Sequence, residues 1–281
     1  MRRVHVCLAA IVLALAIAAS AVGAQEAASE VPKLAYGETI TGALTPTDNT
    51  FADGSYFKPY VLEGTEGDEV TIFLASEDFD PTLLLLNSDE SETVLATDGN
   101  SDGMCNARLT FTLPETGSFI VVANASEAAE RGQFQLMLAQ GHQGPRSEEG
   151  CQGFTGIKGT LSVGDSIMGS LSSDDRQMGE SYFQVWLLDN PGSVPYTIDL
   201  NSDVFDAALM LVRGIREVLI LNDDSGDGGC HARIPHTPQD ERPYRLVAIS
   251  RTAGQGGSFL LKASEGLNPL IGGNTCQIGG P

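Results

Sequence analysis

The sequence predicts an all-β protein made of two tandem antiparallel β-sandwich domains, each with a jelly-roll-like or Greek-key path. Three observations carry this prediction: two cysteine pairs with the same spacing, one ordered set of motifs that occurs twice, and short segments in which apolar and polar residues alternate. Alternation with a period of two is the pattern of half-buried strands, and self-similarity along a chain indicates repeated structural units.

The cysteine spacing indicates an internal duplication. Cys105 and Cys151 lie 46 positions apart, and Cys230 and Cys276 lie 46 positions apart as well. Four cysteines permit three pairings, but the equal spacing favours one disulfide within each half, Cys105–Cys151 and Cys230–Cys276. Each disulfide would close a loop long enough to restrain the unfolded chain by roughly 3–4 kcal/mol in the entropy model. We interpret these cysteines as structural.

Other motifs recur in the same order. Gly37 and Gly164 open matching segments 127 positions apart, and Cys105 and Cys230 open matching segments 125 positions apart. This drift needs only two single-residue deletions, which loops tolerate. The matching segments are 37–44 with 164–171, 55–57 with 181–183, 78–80 with 204–206, and 105–108 with 230–233.

Short alternating segments separated by polar turns make up most of the chain. Residues 70–74 and 196–200 alternate at period two, whereas 63–68 and 223–229 are rich in Gly, Asp, Glu and Ser. Such composition predicts strands joined by turns. About eight strands in each repeat of roughly 110 residues suffice for two packed sheets, so we expect each repeat to bury its own core.

The N-terminus reads as a secretory signal peptide. Arg2 and Arg3 precede the apolar residues 8–19, and small residues at 22–24 offer a cleavage site. We therefore expect a periplasmic or secreted protein that is not inserted in a membrane after cleavage. The predicted divisions are residues 1–24 as signal peptide, 25–35 as a flexible leader, 36–153 as the first sandwich and 154–281 as the second.

The charge excludes several classes of partner. The chain has a formal charge of −21, and removing the signal peptide with its two arginines leaves −23. Such a chain repels nucleic-acid phosphates and anionic lipid. The expected partner is an extracellular or periplasmic protein or polysaccharide surface. A solvated acidic face that keeps an exported protein soluble accounts for the charge without any ligand.

An acidic loop precedes the first cysteine of each repeat, with the shared pattern D-x-[NS]-x-D-G-x-C. Oxygen ligands at alternate positions with a Gly at the turn suit Ca²⁺, although Leu109 and Ile234 stand where an EF-hand carries its bidentate Glu. The alternative is a hairpin turn in which Asp and Asn bond their own backbone. The candidate ligands are Asp98, Asn100 and Asp102 in the first loop, Asp223, Ser225 and Asp227 in the second, and Asp80 and Asp206 from neighbouring loops.

Four aromatic residues recur along one strand of each repeat: Tyr56 and Tyr60, then Tyr182 and Trp186. They fit either a sugar-stacking strip or one packed face of a sandwich, and packing is the simpler interpretation. The sequence contains no nucleophile elbow, phosphate loop or zinc set, so we predict no catalytic residues.

One ordered motif set comprises Gly67-Asp68, Asp78-Phe79-Asp80, residues 98–103, Ala107-Arg108 and residues 113–119. The second repeat retains most of it but replaces the Pro-Glu-Thr-Gly turn at residues 238–241. Across nearly the whole mature chain, this set resembles the bacterial pre-peptidase C-terminal (PPC) domain family. The resemblance implies a non-catalytic sandwich of the kind that accompanies secreted peptidases, and some related modules bind calcium or substrate. These 281 residues include no peptidase domain.

These observations predict an exported, non-catalytic tandem β-sandwich protein that acts as a binding or stabilising accessory module, with stabilisation by calcium as one of the two interpretations of its acidic loops. The alternative function is a secreted hydrolase or peptidase-associated enzyme whose site has no recognisable motif. A cluster of Ser, His and Asp in a cleft would favour the enzyme, whereas shallow polar surfaces would favour binding.

Overall fold

The computed structural model describes residues 31–88, 93–189, 192–223 and 230–270. Nineteen strands and no helix occur in this part of the chain, which confirms the all-β prediction. Accordingly, the described ranges contain no helix long and apolar enough to cross a membrane. The predicted signal peptide, residues 1–24, lies outside them.

Each half of the chain forms its own strands. The first half contains β1 (Thr39–Leu44), β2 (Asn49–Thr50), β3 (Tyr56–Gly64), β4 (Glu69–Ala75), β5 (Pro81–Asn87), β6 (Val94–Asp98), β7 (Ala107–Thr112), β8 (Gly117–Ala125) and β9 (Gly132–Gln140). The second half contains β10 (Ile157–Ser162), β11 (Ser166–Leu171), β12 (Arg176–Met178), β13 (Ser181–Asp189), β14 (Tyr196–Asn201), β15 (Ala207–Arg213), β16 (Glu217–Asn222), β17 (Ala232–His236), β18 (Tyr244–Ser250) and β19 (Gly257–Glu265).

The strands of each half form two sheets with a jelly-roll order. In the first half the sheets run β1-β9-β4-β7 and β2-β3-β8-β5-β6. In the second half they run β11-β19-β14-β17 and β10-β13-β18-β15-β16, with β12 also paired to β13. The chain therefore crosses between the two sheets of a sandwich after most strands, which is the path of the jelly roll.

Each sandwich encloses a separate apolar core with the same aromatic arrangement. Phe79 and Phe134 meet edge to face at 6.3 Å in the first core, and Phe205 and Phe259 do so at 6.4 Å in the second. Gly42 lies directly across the sheet from Phe134, where any Cβ would collide with the ring. The recurring motifs of the sequence therefore mark recurring core contacts.

The described end of the predicted flexible leader belongs to the first sandwich. Leu34 N–H donates to the Val61 carbonyl at 2.8 Å, and Val61 N–H donates to the Pro32 carbonyl at 2.8 Å. The Leu34 side chain is 4% exposed and packs in the first core. The parallel pairing of Lys33 with Val61 corresponds to that of β10 with β13 in the second half. Residues 32–34 are therefore held against β3 as an edge of the first sandwich.

The second sandwich is buried on both faces of its larger sheet. The outward side chains of β13, β15 and β18 form an additional apolar cluster, against which Phe154 and Ile157, the first residue of β10, pack. The burial of this face explains why β18 reads as a nearly continuous apolar strand interrupted by Arg245.

Candidate functional site

The first acidic loop is held by protein groups. The Asp98 carboxylate accepts hydrogen bonds from the backbone N–H of Arg108 at 2.8 Å and of Ser101 at 3.2 Å. Asp102 is 1% exposed and accepts from Arg146 twice, from its backbone N–H at 2.7 Å and its Nε at 2.5 Å. These contacts are those of a structured turn closed by an ion pair.

The remaining predicted calcium ligands are distributed elsewhere. Asn100 is exposed, and Asp80 is buried near a different set of charges described below. Asp223 forms an ion pair with Arg251 at 2.9 Å, whereas Ser225 and Asp227 lie outside the described residues. Within the described ranges, no three His, Cys, Asp or Glu side chains are grouped as a metal ion requires. Calcium binding, including any contribution from Asp206, stays a prediction.

The loop after Asp102 has an unusual backbone. Gly103, Met104 and Cys105 have successive φ angles of 77°, 52° and 64°, a left-handed conformation that costs energy for the two non-glycine residues. The predicted disulfide Cys105–Cys151 holds this loop, and Met104 N–H donates to the Glu149 carbonyl at 2.7 Å. Cys230 is disulfide-bonded as well. Its predicted partner, Cys276, lies outside the described residues.

This constrained loop forms one wall of a cleft of about 430 Å³ between the two sandwiches. The wall of the first sandwich is mainly polar, and the facing wall carries two arginines of the second sandwich, Arg216 and Arg242. The first wall includes Thr41, Glu77, Met104, Asn106, Gln133 and Gln135.

Direct bonds between the sandwiches set the shape of the cleft. Ile215 N–H donates to the Glu77 carbonyl at 2.9 Å, and Arg242 Nε donates to Asp78 at 2.6 Å. Gly214 has a φ of 61°, and a Cβ at this position would collide with the Glu77 carbonyl oxygen. The turn at 214–215 therefore fits against the first sandwich only with glycine at its tip.

A buried ion pair lies in the same interface. Arg245 on β18 is 0% exposed and donates to the carboxylate of Glu130, which is 1% exposed. Its other terminal nitrogen donates to the carbonyls of Asp78 at 2.9 Å and Gly214 at 2.6 Å. Burial raises the pKa of Glu130, and Arg245 opposes this shift. A buried charge is stable only with such partners, so Arg245 ties the sandwiches together.

Asp80 adds a second buried carboxyl to this interface. Its Oδ1 atom is buried and has no hydrogen-bond partner among the described residues. Burial raises the pKa of Asp80 to about 6, the Glu127 carboxylate adds to the shift, and Arg245 and Arg176 oppose it. Glu127 itself accepts the backbone N–H groups of Gly156 at 2.8 Å and of Ile157, the first residue of β10, at 2.5 Å.

The arginines along the cleft differ in their pairing. Arg213 binds the carboxylates of Glu217 and Asp240, and Arg242 lies within 4 Å of three carboxylates. Arg216 has no carboxylate within that distance among the described residues; one Nη donates to the Met104 carbonyl at 2.5 Å. Arg216 is therefore a fixed, half-exposed cation with unused donors on the cleft wall.

The four recurring aromatic residues lie apart from this cleft. Tyr60 and Trp186 are buried in the two cores, and Tyr56 and Tyr182 pack against those cores. They are packing residues.

The motifs that the two repeats share do not indicate the cleft, because the residues that form it differ between the repeats. Ala125, the last residue of β8, pairs with Pro81, and Ser250, the last residue of β18, pairs with Ala207, so the two strand ends are equivalent. Counting back equally from these ends places Ile120 on β8 where Arg245 stands on β18. The available signal was a lone arginine inside the apolar run of β18.

Comparisons with known proteins assign no family. No family model matches the chain. No curated protein matches it either.

Several solved structures show a limited likeness. A pre-peptidase C-terminal domain of collagenase from Bacillus anthracis has a TM-score of 0.30 and 14% identity, over 38% of this chain and 92% of that domain. An anti-sigma factor domain-containing protein from Clostridium clariflavum has a TM-score of 0.24 and 12% identity, over 83% and 90% of the two chains. The PBSX exported protein XepA has a TM-score of 0.22 and 12% identity, over 80% and 86%. All three TM-scores lie below 0.5, so none of these structures assigns a function to this chain.

Proposed function

We propose that this chain is an exported, non-catalytic binding accessory whose ligand occupies the cleft between the two sandwiches. The observation that carries the proposal is a polar cleft of about 430 Å³ where direct bonds join the two sandwiches, beside the buried Arg245–Glu130 pair. Binding sites are typically preformed concave surfaces with a few placed polar groups, and domain junctions commonly provide them.

The cleft wall supports a binding role in two ways. Its disulfide-linked loop has three successive left-handed residues, Gly103 to Cys105, and such strain tends to occur at functional sites. The exposed side-chain amides of Gln133 and Gln135 offer both donors and acceptors to a ligand. A wall of this kind binds without losing much conformational entropy, because its backbone is already fixed.

The proposal includes three expectations from the sequence. The protein is exported, its partner is a periplasmic or extracellular protein or polysaccharide surface, and it is related to the PPC family. Calcium enters as a stabilising ion, for which the second acidic loop is the stronger candidate. In the first loop, the buried carboxylate of Asp102 is already paired with Arg146.

A binding screen with a blocked cleft tests the proposal. Immobilised protein is presented with peptide pools and with a panel of neutral and acidic oligosaccharides. Gln135→Trp places a bulky ring on the cleft wall, and Gln140→Trp, on the same strand but outside the cleft lining, is the matched control. We expect the wild type and Gln140→Trp to retain the same ligands and Gln135→Trp to lose them. A wild type that retains nothing, or a Gln135→Trp variant that binds equally well, would refute the proposed site.

A further inference from the structure

We propose that the cleft recognises a peptide carboxylate, which pairs with Arg216. This inference rests on the proposed binding function of the same cleft and specifies its ligand. It follows from the pairing of the cleft arginines, the local charge and the chemical character of the walls.

Arg216 is prepared for a carboxylate by its position. Its hydrogen bond to the Met104 carbonyl, 2.5 Å long, holds the guanidinium against the wall of the other sandwich. The planar guanidinium carries five N–H donors in a fork that matches a carboxylate, so donors remain after this bond is made. Because the side chain is already oriented, little rotamer entropy is lost when an anion binds.

The charge near Arg216 is favourable compared with the rest of this acidic molecule. A second, smaller cavity of about 180 Å³ shares Glu77, Arg216 and Arg242 with the cleft and adds Arg213 and Glu217. Together the two cavities are lined by three arginines against Glu77, Asp78 and Glu217, and Asp78 is already bonded to Arg242. Among the described lining residues the formal charges balance, and Arg216 is the arginine without a carboxylate partner, so an anion meets less repulsion here than on most of a molecule with formal charge −21.

The walls favour a peptide over a sugar. The side-chain amides of Gln133 and Gln135 complement the N–H and C=O groups of a peptide backbone, and Asn106, whose Oδ1 accepts the Ser76 N–H at 3.3 Å, can add N–H donors. Phe134 is the one aromatic residue among the lining residues, and it is 2% exposed within the first core. No aromatic face in the described cleft is therefore available for stacking on a sugar ring. Met104, which is exposed at the cleft, supplies an adaptable apolar contact for a peptide side chain.

Three synthetic octapeptide pools test the inference and identify the carboxylate. The first has free C-terminal carboxylates and no Asp or Glu, the second has C-terminal amides with Asp and Glu included, and the third has C-terminal amides and neither residue. We expect retention of the first pool, the second or both, which separates a terminal from a side-chain carboxylate. Equal retention of the carboxylate-free third pool would overturn the inference.

Arg216→Gln should lower the affinity for the retained peptides roughly tenfold or more, because a charge-assisted pair is lost. Arg251→Gln removes the same charge from a side chain that is 56% exposed and lies outside the cleft, so it should bind as the wild type does. Peptide binding that is abolished by Gln135→Trp but unchanged by Arg216→Gln would preserve the cleft as a site and overturn the role of Arg216. Retention of oligosaccharides alone would also overturn the inference.

Discussion

Arg245 is the single residue on which the attachment of the two sandwiches depends most. Its guanidinium is fully buried and bonds to Glu130 and to two backbone carbonyls. Burying such a pair brings a large desolvation cost, which its mutual attraction and hydrogen bonds offset. Removing one partner leaves the other charge buried without compensation.

Replacing Arg245 should therefore destabilise the protein strongly. We expect Arg245→Met to lower the free energy of unfolding by about 3–5 kcal/mol, measured by urea denaturation. Arg251→Met, which breaks an exposed pair with Asp223, should cost at most about 1 kcal/mol. The double variant Arg245→Met with Glu130→Leu should recover much of the loss. Equal losses in the two single variants would contradict the role assigned to Arg245.

Asp80 makes the interface sensitive to pH. Burial raises the pKa of Asp80 to about 6 from 3.8, so the folded protein holds this proton more tightly than the unfolded chain does. The contribution of Asp80 to stability is therefore fully present below about pH 3.8 and is lost as the pH rises through about 6.

Asp80→Asn should remove this pH dependence. Relative to the variant, the wild type should lose up to about 3 kcal/mol of stability between about pH 4 and about pH 7, since one pKa unit corresponds to about 1.4 kcal/mol. Urea unfolding of both proteins across this range measures the difference. A difference that is constant with pH, or that grows in favour of the wild type as the pH rises, would show that Asp80 is not buried in the way described.

Among the structural elements, the turn between β15 and β16 brings the second sandwich to the first. Gly214 forms its tip with a φ of 61°, and a Cβ added there would lie 2.1 Å from the Glu77 carbonyl oxygen. An added methyl group would meet both a strained backbone and the opposing carbonyl.

Gly214→Ala should lower the free energy of unfolding by more than the strain of a positive φ alone. Gly254 has a similar φ of 68°, and a methyl group added there would have no atom within 4 Å, so Gly254→Ala reports the backbone strain by itself. We expect Gly214→Ala to be at least about 1–2 kcal/mol less stable than Gly254→Ala and to weaken ligand binding in the cleft. Equal effects, measured by urea unfolding, would contradict the close packing at this turn.

The acidic loops differ in what calcium should do. Because Asp102 is paired with Arg146, Asp102→Asn should lower the melting temperature with or without calcium. Calcium near 10⁻⁴–10⁻³ M should raise the melting temperature of the wild type more than sodium chloride of equal ionic strength does. The pair Asp223→Asn with Asp227→Asn should abolish that response. A wild-type melting temperature that does not change with calcium would contradict a calcium site and support the interpretation of both loops as hairpin turns.

The fold was predictable to the level of sheets because each repeat obeys period two and repeats its core positions. Phe79, Phe134, Phe205 and Phe259 stand in register, and so do the glycines that face two of their rings. The equal cysteine spacing predicted the Cys105–Cys151 disulfide correctly. These features depend on local sequence and on the duplication, and both can be recognised in a single sequence.

The cleft was not predictable in the same way. Its wall depends on the docking of one sandwich against the outer sheet face of the other, and Arg245 pairs with a residue 115 positions away. Periodicity reports which face of a strand is apolar but not which partner covers it. The acidic pattern at Asp98 and Asp102 fits a turn and an ion site equally well until Arg146 is placed beside it.

At the scale of the whole molecule, two sandwiches with the same topology contribute different parts to one interface. The first supplies the loops at 76–80 and 127–131, and the second supplies the outer face of its larger sheet. Ile120 stands on β8 where Arg245 stands on β18, so the two repeats carry different residues at this position and only the second supplies the arginine of the ion pair. The cleft forms where the two sandwiches meet, and neither repeat contains it alone.

Hydrogen exchange of the full chain with saturating retained peptide tests this account most directly. The account predicts slower amide exchange at residues 75–78, 104–106, 133–135 and 214–216, which line the cleft or support it, with little change at the acidic loop around Asp223 and at β16. Protection confined to one sandwich, or centred on the acidic loops, would contradict a binding site between the two sandwiches.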